Sequence, residues 1–315
     1  MICLRQNLKR LKKLLVGLAV PIGLILSGCS NGEQSADPIG TGKKMVVCTT
    51  TMIHDIGKVL AGDLLDLRGI MKAGEDPHIY ELKPHDTKLI IEADLILMNG
   101  LHLEAQVGHV IEEKARGRVS RLAEDPRIVT LGSEDAAGAP DPHCWFNPEY
   151  FKIYVEKARD ALSGIDPDNV ETYNNRAKAY MKELDELFAW GKKVVAAIPR
   201  EQRIMVTSHD AFQYFGKAFD IEVYAVAGIS TEQDPAPQDR LKLETLVKER
   251  GAKALFVETS VRDALNNMIQ QIAKSSGAKI GGTLYSDSLG EPGSVADTYI
   301  HMMKHNLSTL ADTLK

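Results

Sequence analysis

DNVETYNNRAKAYMKELDELFAWGKKVVAAI, the stretch from Asp168 to Ile198, contains no proline, whereas Pro167 precedes it and Pro199 follows it. Its apolar residues Val170, Tyr173, Ala177, Met181, Leu184, Phe188, Val195 and Ile198 recur at steps of three, four and seven, the spacing of one face of an amphipathic helix. Asp166-Pro167-Asp168 is a start signal and Pro199 a stop. At ~1.5 Å per residue such a helix would be about 45 Å long, enough to run past a whole lobe. Residues 166–199 therefore read as the connector between two halves of the chain.

Both halves alternate short β-branched runs with helical patterns. Before the connector, Met45–Thr50, Leu67–Met71, Leu95–Asn99 and Ile128–Leu131 read as strands, and Ile53–Leu60, Asp86–Ala93 and Glu104–Lys114 as helices. After it, Ile204–Thr207, Val223–Ala227, Ala254–Glu258 and Ile280–Tyr285 read as strands, and Leu241–Glu249, Val261–Ser275 and Val295–Leu314 as helices. That rhythm predicts an α/β protein with parallel sheets covered on both faces. The expected division is an N-terminal lobe over 45–165, the connecting helix, and a C-terminal lobe over 200–315.

The chemistry concentrates in a tripeptide that occurs twice, Asp76-Pro77-His78 and Asp141-Pro142-His143, each followed by an aromatic residue, Tyr80 or Trp145. Proline fixes its own φ and keeps the preceding Asp extended, so each imidazole sits on a stiff loop. Histidine is the commonest metal ligand near neutral pH, and two pre-positioned imidazoles suit a metal site. His209 and Asp287 each fall just after a strand-like run, where ligands bind in open α/β sheets. Consecutive members of this set lie more than sixty residues apart, so only folding could assemble them.

Three neutral imidazoles and one carboxylate would leave a net charge of about +1 around a divalent ion, a donor set suited to zinc, iron or manganese. Calcium or magnesium would want more oxygen ligands. His54, His85, His102, His109, His301 and His305 read as surface or capping residues, although His85 and His102 flank candidate site loops. Cys144 adjoins His143, but neighbouring side chains in an extended loop point opposite ways, so it is not counted. Glu258, at the end of a strand, reads equally as a carboxylate orienting an imidazole and as a charge at the lobe interface.

Asp76-Pro77-His78-Ile79-Tyr80-Glu81, Asp141-Pro142-His143-Cys144-Trp145-Phe146-Asn147-Pro148, Thr207-Ser208-His209-Asp210-Ala211-Phe212-Gln213-Tyr214-Phe215 and Leu284-Tyr285-Ser286-Asp287-Ser288-Leu289-Gly290 resemble the signature stretches of the zinc/manganese cluster of solute-binding proteins. These are the metal-binding receptors of ABC transporters, often surface lipoproteins. Asn99-Gly100-Leu101-His102-Leu103-Glu104 and Phe256-Val257-Glu258-Thr259-Ser260-Val261 add to the resemblance, which covers about Met45 to Lys315. It implies two βα lobes joined by one long helix, one metal ion in the cleft between them, and ligands at His78, His143, His209 and Asp287. It also implies a membrane permease and its ATPase as partners. Some members that favour manganese carry Glu where this chain has His209. Dedicated zinc members often carry a His-rich loop where Glu112–Pro140 here has no histidine. The two departures pull the metal preference in opposite directions.

The N-terminus is an address. Arg5, Lys9, Arg10, Lys12 and Lys13 precede the apolar run Leu14 to Leu26, too short for a comfortable membrane span but suited to a signal peptide over 1–28. Leu26-Ser27-Gly28-Cys29 resembles the bacterial lipobox, which implies cleavage before Cys29, acyl chains on it and a small-residue tether over 29–44. The expected location is extracytoplasmic, lipid-anchored to a bacterial membrane. Cys48 and Cys144 remain in the folded part; a disulfide between them is allowed by the count, and two buried thiols are the plainer reading.

A formal charge of −5 without a polybasic stretch excludes nucleic acid as an expected partner. A zinc-dependent hydrolase is the rival reading from another class. It needs an open coordination position and a nearby base, for which Asp210 is the adjacent carboxylate, and the H-E-x-x-H pattern is absent. A surface adhesin is the third reading, with no residue pattern that encodes it. The expected function is an extracytoplasmic, non-enzymatic, high-affinity receptor that delivers zinc, manganese or both, with iron also suited to its donors, to an ABC permease.

Overall fold

Strand β1, Met45–Cys48, is buried along its whole length and explains the first layer. Its side chains alternate: Val46 and Cys48 enter one apolar cluster with Met52, Ile53 and Leu97, while Met45 and Val47 enter another with Ile70, Ile90, Val107 and Ile111. A strand packed on both faces has no polar side, and such strands belong to parallel sheets covered by helices. A computed structural model describes residues 42–132 and 140–315. The signal segment 1–28, Cys29 and most of the 29–44 tether lie outside the described residues.

The first sheet has the order β2-β1-β3-β4, all parallel, with β2 at Asp66–Gly69, β3 at Leu95–Met98 and β4 at Arg118–Arg121. Helices α1 (Thr51–Ala61), α2 (Pro84–Glu92) and α3 (Ala105–Lys114) cross over between the strands. Thr50 caps α1 through its side chain, and Gly62, at φ +56°, ends it. The fourth strand is not Ile128–Leu131, as the β-branched run predicts. Among the described residues that segment has no ladder partner; the one bridge nearby joins Gly132 to Pro140, and Val129 is 70% exposed. Arg118–Arg121 takes the edge instead; its polar side chains suit a strand flanked on one side only.

The expected connector forms as one unbroken helix over Val170–Ala196, with a second helix packed along it. Helix α4, Pro148–Ile165, adds to the expected elements; it starts at the Asn147 cap, with Pro148 in the first turn, and packs against α5, Val170–Ala196. At 27 residues, α5 spans about 40 Å. Its buried face is Tyr173, Ala177, Tyr180, Leu184, Leu187, Gly191 and Val195, so Met181 and Phe188 sit at the margin rather than on the centre line. Gly191 is required by contact: a Cβ there would lie 2.6 Å from the Phe219 ring and 2.9 Å from Leu307.

After α5 come β5 (Ile204–Thr207), α6 (Gln213–Phe219), β6 (Glu222–Ala225), α7 (Pro237–Arg250), β7 (Ala254–Glu258), α8 (Asp263–Ser276), β8 (Lys279–Leu284) and α9 (Tyr299–Leu314). β5 pairs with β6 and β7 with β8, both parallel, and β5 lies beside β7. The same alternation holds: Ile204, Val206 and Leu255 face a cluster of their own, while Met205, Ala254 and Phe256 face the large central cluster. That central cluster runs without interruption from β1 through α4 and α5 to α9. The two βα lobes thus share one core along α4 and α5, and the described residues form a single unit. Cys48 and Cys144 are both buried and both free thiols.

Candidate metal centre

Each Asp-Pro-His loop is organised by its own aspartate. Asp76 Oδ1 accepts the His78 amide and Asp141 Oδ1 accepts the His143 amide, both at 2.9 Å. An Asp side chain that takes the amide two residues on makes a local turn of its own, which the proline between them stiffens. Beyond this the copies diverge. Asp141 Oδ1 also holds His143 Nδ1 at 2.8 Å, whereas Asp76 Oδ2 accepts the Thr231 hydroxyl from the other lobe at 2.6 Å. The Asp141 loop is tied further by Asn99, whose Nδ2 donates to Pro142 O at 3.1 Å. Asn99 is itself fixed by Glu104, which accepts its amide at 2.6 Å, and by Tyr154, which donates to its Oδ1 at 2.7 Å.

His209 and Asp287 lie just past β5 and β8, at the carboxyl ends of parallel strands. Glu258, at the end of β7, accepts the Ser208 and His209 amides on Oε1, at 2.7 and 2.9 Å, and lies 2.6 Å from His209 Nδ1 through Oε2. Of its two sequence readings, the geometry therefore gives the orienting one. The Asp287 amide donates to Ser260 Oγ at 3.0 Å, and Ser260 Oγ lies 2.9 Å from Ser286 Oγ.

The four predicted residues converge. One ligand atom from each of His78, His143, His209 and Asp287 lies within 4.8 Å of the others, and all four side chains are buried. His78 Nε2 and His143 Nε2 are 3.3 Å apart; Asp287 lies 3.6 Å from His78 Nε2, 3.5 Å from His143 Nε2 and 3.0 Å from His209 Nε2. Yet His209 Nε2 and both Asp287 carboxylate oxygens are buried without a hydrogen-bond partner. Three imidazole nitrogens and a carboxylate gathered this closely and all buried are what a shared cation needs.

The electrostatics are uneven among the donors. Burial holds His78 down to about 3, with the neighbouring imidazoles adding to it and Asp287 opposing. Burial also acts to lower His209, but the Glu258 and Asp287 carboxylates outweigh it and keep this imidazole well above its ordinary range. Burial acts to raise Asp287, but His209 first, then His143 and His78, hold it below the usual carboxylate range. A raised His209 value means that a proton competes for this imidazole with any metal that binds it.

The remaining histidines stand apart from this cluster. His85, His102, His109 and His301 are exposed, and His305 points Nε2 at Thr283 O. His54 is held down to about 4 by burial and by Lys58. Asp210 is engaged by Gln213 Nε2 at 2.7 Å. Sequence reasoning missed Thr231, Ser260 and the Asn99–Glu104 support; of these, Ser260, Asn99 and Glu104 lay in stretches already singled out.

Residues 46–313 match the family described as zinc-uptake complex component A, periplasmic. The chain is 34% identical over 296 residues to the manganese-binding lipoprotein MntA of Bacillus subtilis (strain 168), covering 92% of this chain and 95% of that one. It is 33% identical over 296 residues to the zinc-binding protein TroA of Treponema pallidum (strain Nichols), with the same coverage. The solved periplasmic zinc-binding protein TroA superposes with a TM-score of 0.82 at 34% identity, covering 87% of this chain and 99% of that one. The Mn-bound periplasmic metal-binding protein from Candidatus Liberibacter asiaticus gives 0.78 at 28% identity, covering 87% and 100%.

Proposed function

Because the chain belongs to the zinc-uptake complex component A family, we propose that it captures one divalent transition-metal ion outside the membrane and hands it to the permease of an ABC transporter. Its relatives are receptors named for zinc or manganese binding, not enzymes. The ion is cargo, held by His78, His143 and His209 through Nε2 and by Asp287 through its carboxylate. One observation carries this assignment: four buried residues from separate loops each bring one ligand atom within 4.8 Å of the others.

Asp141 and Glu258 set the tautomer of their imidazoles, each accepting from Nδ1 and leaving the Nε2 lone pair to the metal. The outer carboxylates also offset the positive charge that a dication and one aspartate would leave in a dry site. Zinc, manganese and iron all suit three nitrogens and a carboxylate.

The lipid anchor at Cys29 is part of the same proposal, supported by the Leu26-Ser27-Gly28-Cys29 box and by relatives named as lipoproteins. No helix among the described residues is long and apolar enough to cross a membrane. Intact-mass analysis of membrane-extracted protein should show acyl chains on Cys29; a mature chain without them would remove the anchor. For transport, cells lacking this protein should lose high-affinity uptake of labelled zinc or manganese. Wild-type protein should restore it and Asp287→Ala should not. Unchanged uptake of both metals in the deleted cells would contradict the proposal.

A further inference from the structure

Two groups of contacts stand out between the lobes, beside the Asp55 carboxylate on the Tyr299 amide and the Tyr214 hydroxyl between Leu131 N and Asp141 O. One is a dry aromatic wall: Phe151 stacks on Tyr299 at 3.5 Å, Phe146 meets Phe212 at 4.5 Å, and the Tyr299 hydroxyl donates to Trp145 O at 2.7 Å. The other is a set of hydroxyl bridges between loops that carry ligands. Ser288, next to Asp287, accepts the Gly74 amide on Oγ at 2.8 Å and lies 3.3 Å from Thr51 Oγ1, which accepts the Leu289 amide at 2.8 Å. Thr231 donates across the cleft to Asp76 Oδ2 at 2.6 Å, and its own loop is held by Arg262 through Thr231 O and Asp234. Ser288 is 1% exposed and Thr231 fully buried.

These two groups respond differently to opening. A hydroxyl bond is exchanged on opening for bonds to water, which also hydrates the Asp76 carboxylate that Thr231 releases. Separated aromatic faces regain nothing of the kind, and their area returns to water. Removing the dication would also leave Asp76, Asp141, Glu258 and Asp287 as buried carboxylates without its charge, which favours the entry of water.

We infer that Ser288 and Thr231, with Thr51 beside Ser288, form a clasp that closes the cleft over the bound ion, while the aromatic wall stays shut as the hinge side. None of them donates to the metal. They are positioning residues that tie the loops of Asp287 and His78 to the opposite lobe, and they set how fast cargo leaves. The inference rests on the metal site proposed above.

The test is chelator-driven stopped-flow release from cobalt-loaded protein, with the cobalt absorption bands as a readout of the donor set. Ser288→Ala should speed release about three- to tenfold, the effect of one lost neutral hydrogen bond, and Thr231→Val by at least as much, since the Thr231 hydroxyl donates to a carboxylate. Association rate and band positions should match wild type. Thr231→Ser, which keeps the hydroxyl, should return release to the wild-type rate. If Ser288→Ala fails to fold, the Thr231→Val and Thr231→Ser pair decides the matter alone. Release unchanged in the variants, shifted cobalt bands, or Thr231→Ser as fast as Thr231→Val would overturn the clasp while leaving the site intact. Wild-type protein that takes up no cobalt would overturn the site reading, and the clasp with it.

Discussion

His209 Nδ1 lies 2.6 Å from Glu258 Oε2, and the other oxygen of the same carboxylate accepts the His209 amide at 2.9 Å. One side chain thus fixes both the backbone and the ring of a proposed ligand. In Glu258→Gln the oxygen can serve the two amides or the ring, not both. If it keeps the amides, the new NH2 faces Nδ1 and forces the proton onto Nε2, the wrong tautomer for metal. Affinity should fall about 10–100-fold, read by competition with a calibrated chelator. An affinity within about threefold of wild type would show that the orienting contact is dispensable.

Metal binding should release a proton and strengthen as pH rises. His209 is held above its ordinary value by Glu258 and Asp287 against burial, so a proton competes with the metal for this imidazole. His78, held down to about 3 by burial, takes up none until far lower pH. Below the raised His209 value, affinity should therefore gain about tenfold per pH unit, one proton per ion. Calorimetry in buffers of different ionisation enthalpy measures the count. No proton release between roughly pH 6 and 7 would contradict the assignment of His209.

Much of this site was legible in the sequence because its parts are local. An aspartate, a proline and a histidine in a row build a turn without help from the rest of the chain, and the same holds for a ligand placed just after a strand. The alternation of Val46 and Val47, or of Met205 and Val206, between two cores likewise needs only the period of a strand. What escaped was non-local or weakly patterned. Arg118–Arg121 is an edge strand with little apolar signal, and Ile128–Leu131 carries the β-branched signal without a partner to pair with. Helix α4 has readable start signals in Asn147 and Pro148, but the metal-ligand motif that ends in the same residues masks them. Ser288 and Thr231 carry no pattern at all, since a serine that bridges two lobes looks like any other serine.

Three nitrogens and one carboxylate should follow the usual order of divalent affinities, so zinc should displace manganese from the loaded protein. His209→Glu should narrow that gap by exchanging a nitrogen for a harder oxygen, although Glu258 would then oppose it with like charge. Competition titration of the two metals on the metal-free protein checks both. Manganese winning outright in the wild type would mean that geometry imposed by the two lobes outweighs ligand type.

The identity of the four donors decides what the cleft holds. X-ray absorption at the zinc edge of protein loaded with one ion per chain should show a shell of nitrogen and oxygen at about 2.0–2.1 Å with the outer scattering of three imidazoles. In Asp287→Ala the imidazole scattering should persist while a light-atom contact is lost. A sulfur shell near ~2.3 Å, drawing in Cys48 or Cys144, or a first shell with fewer than three imidazoles, would contradict the site of His78, His143, His209 and Asp287.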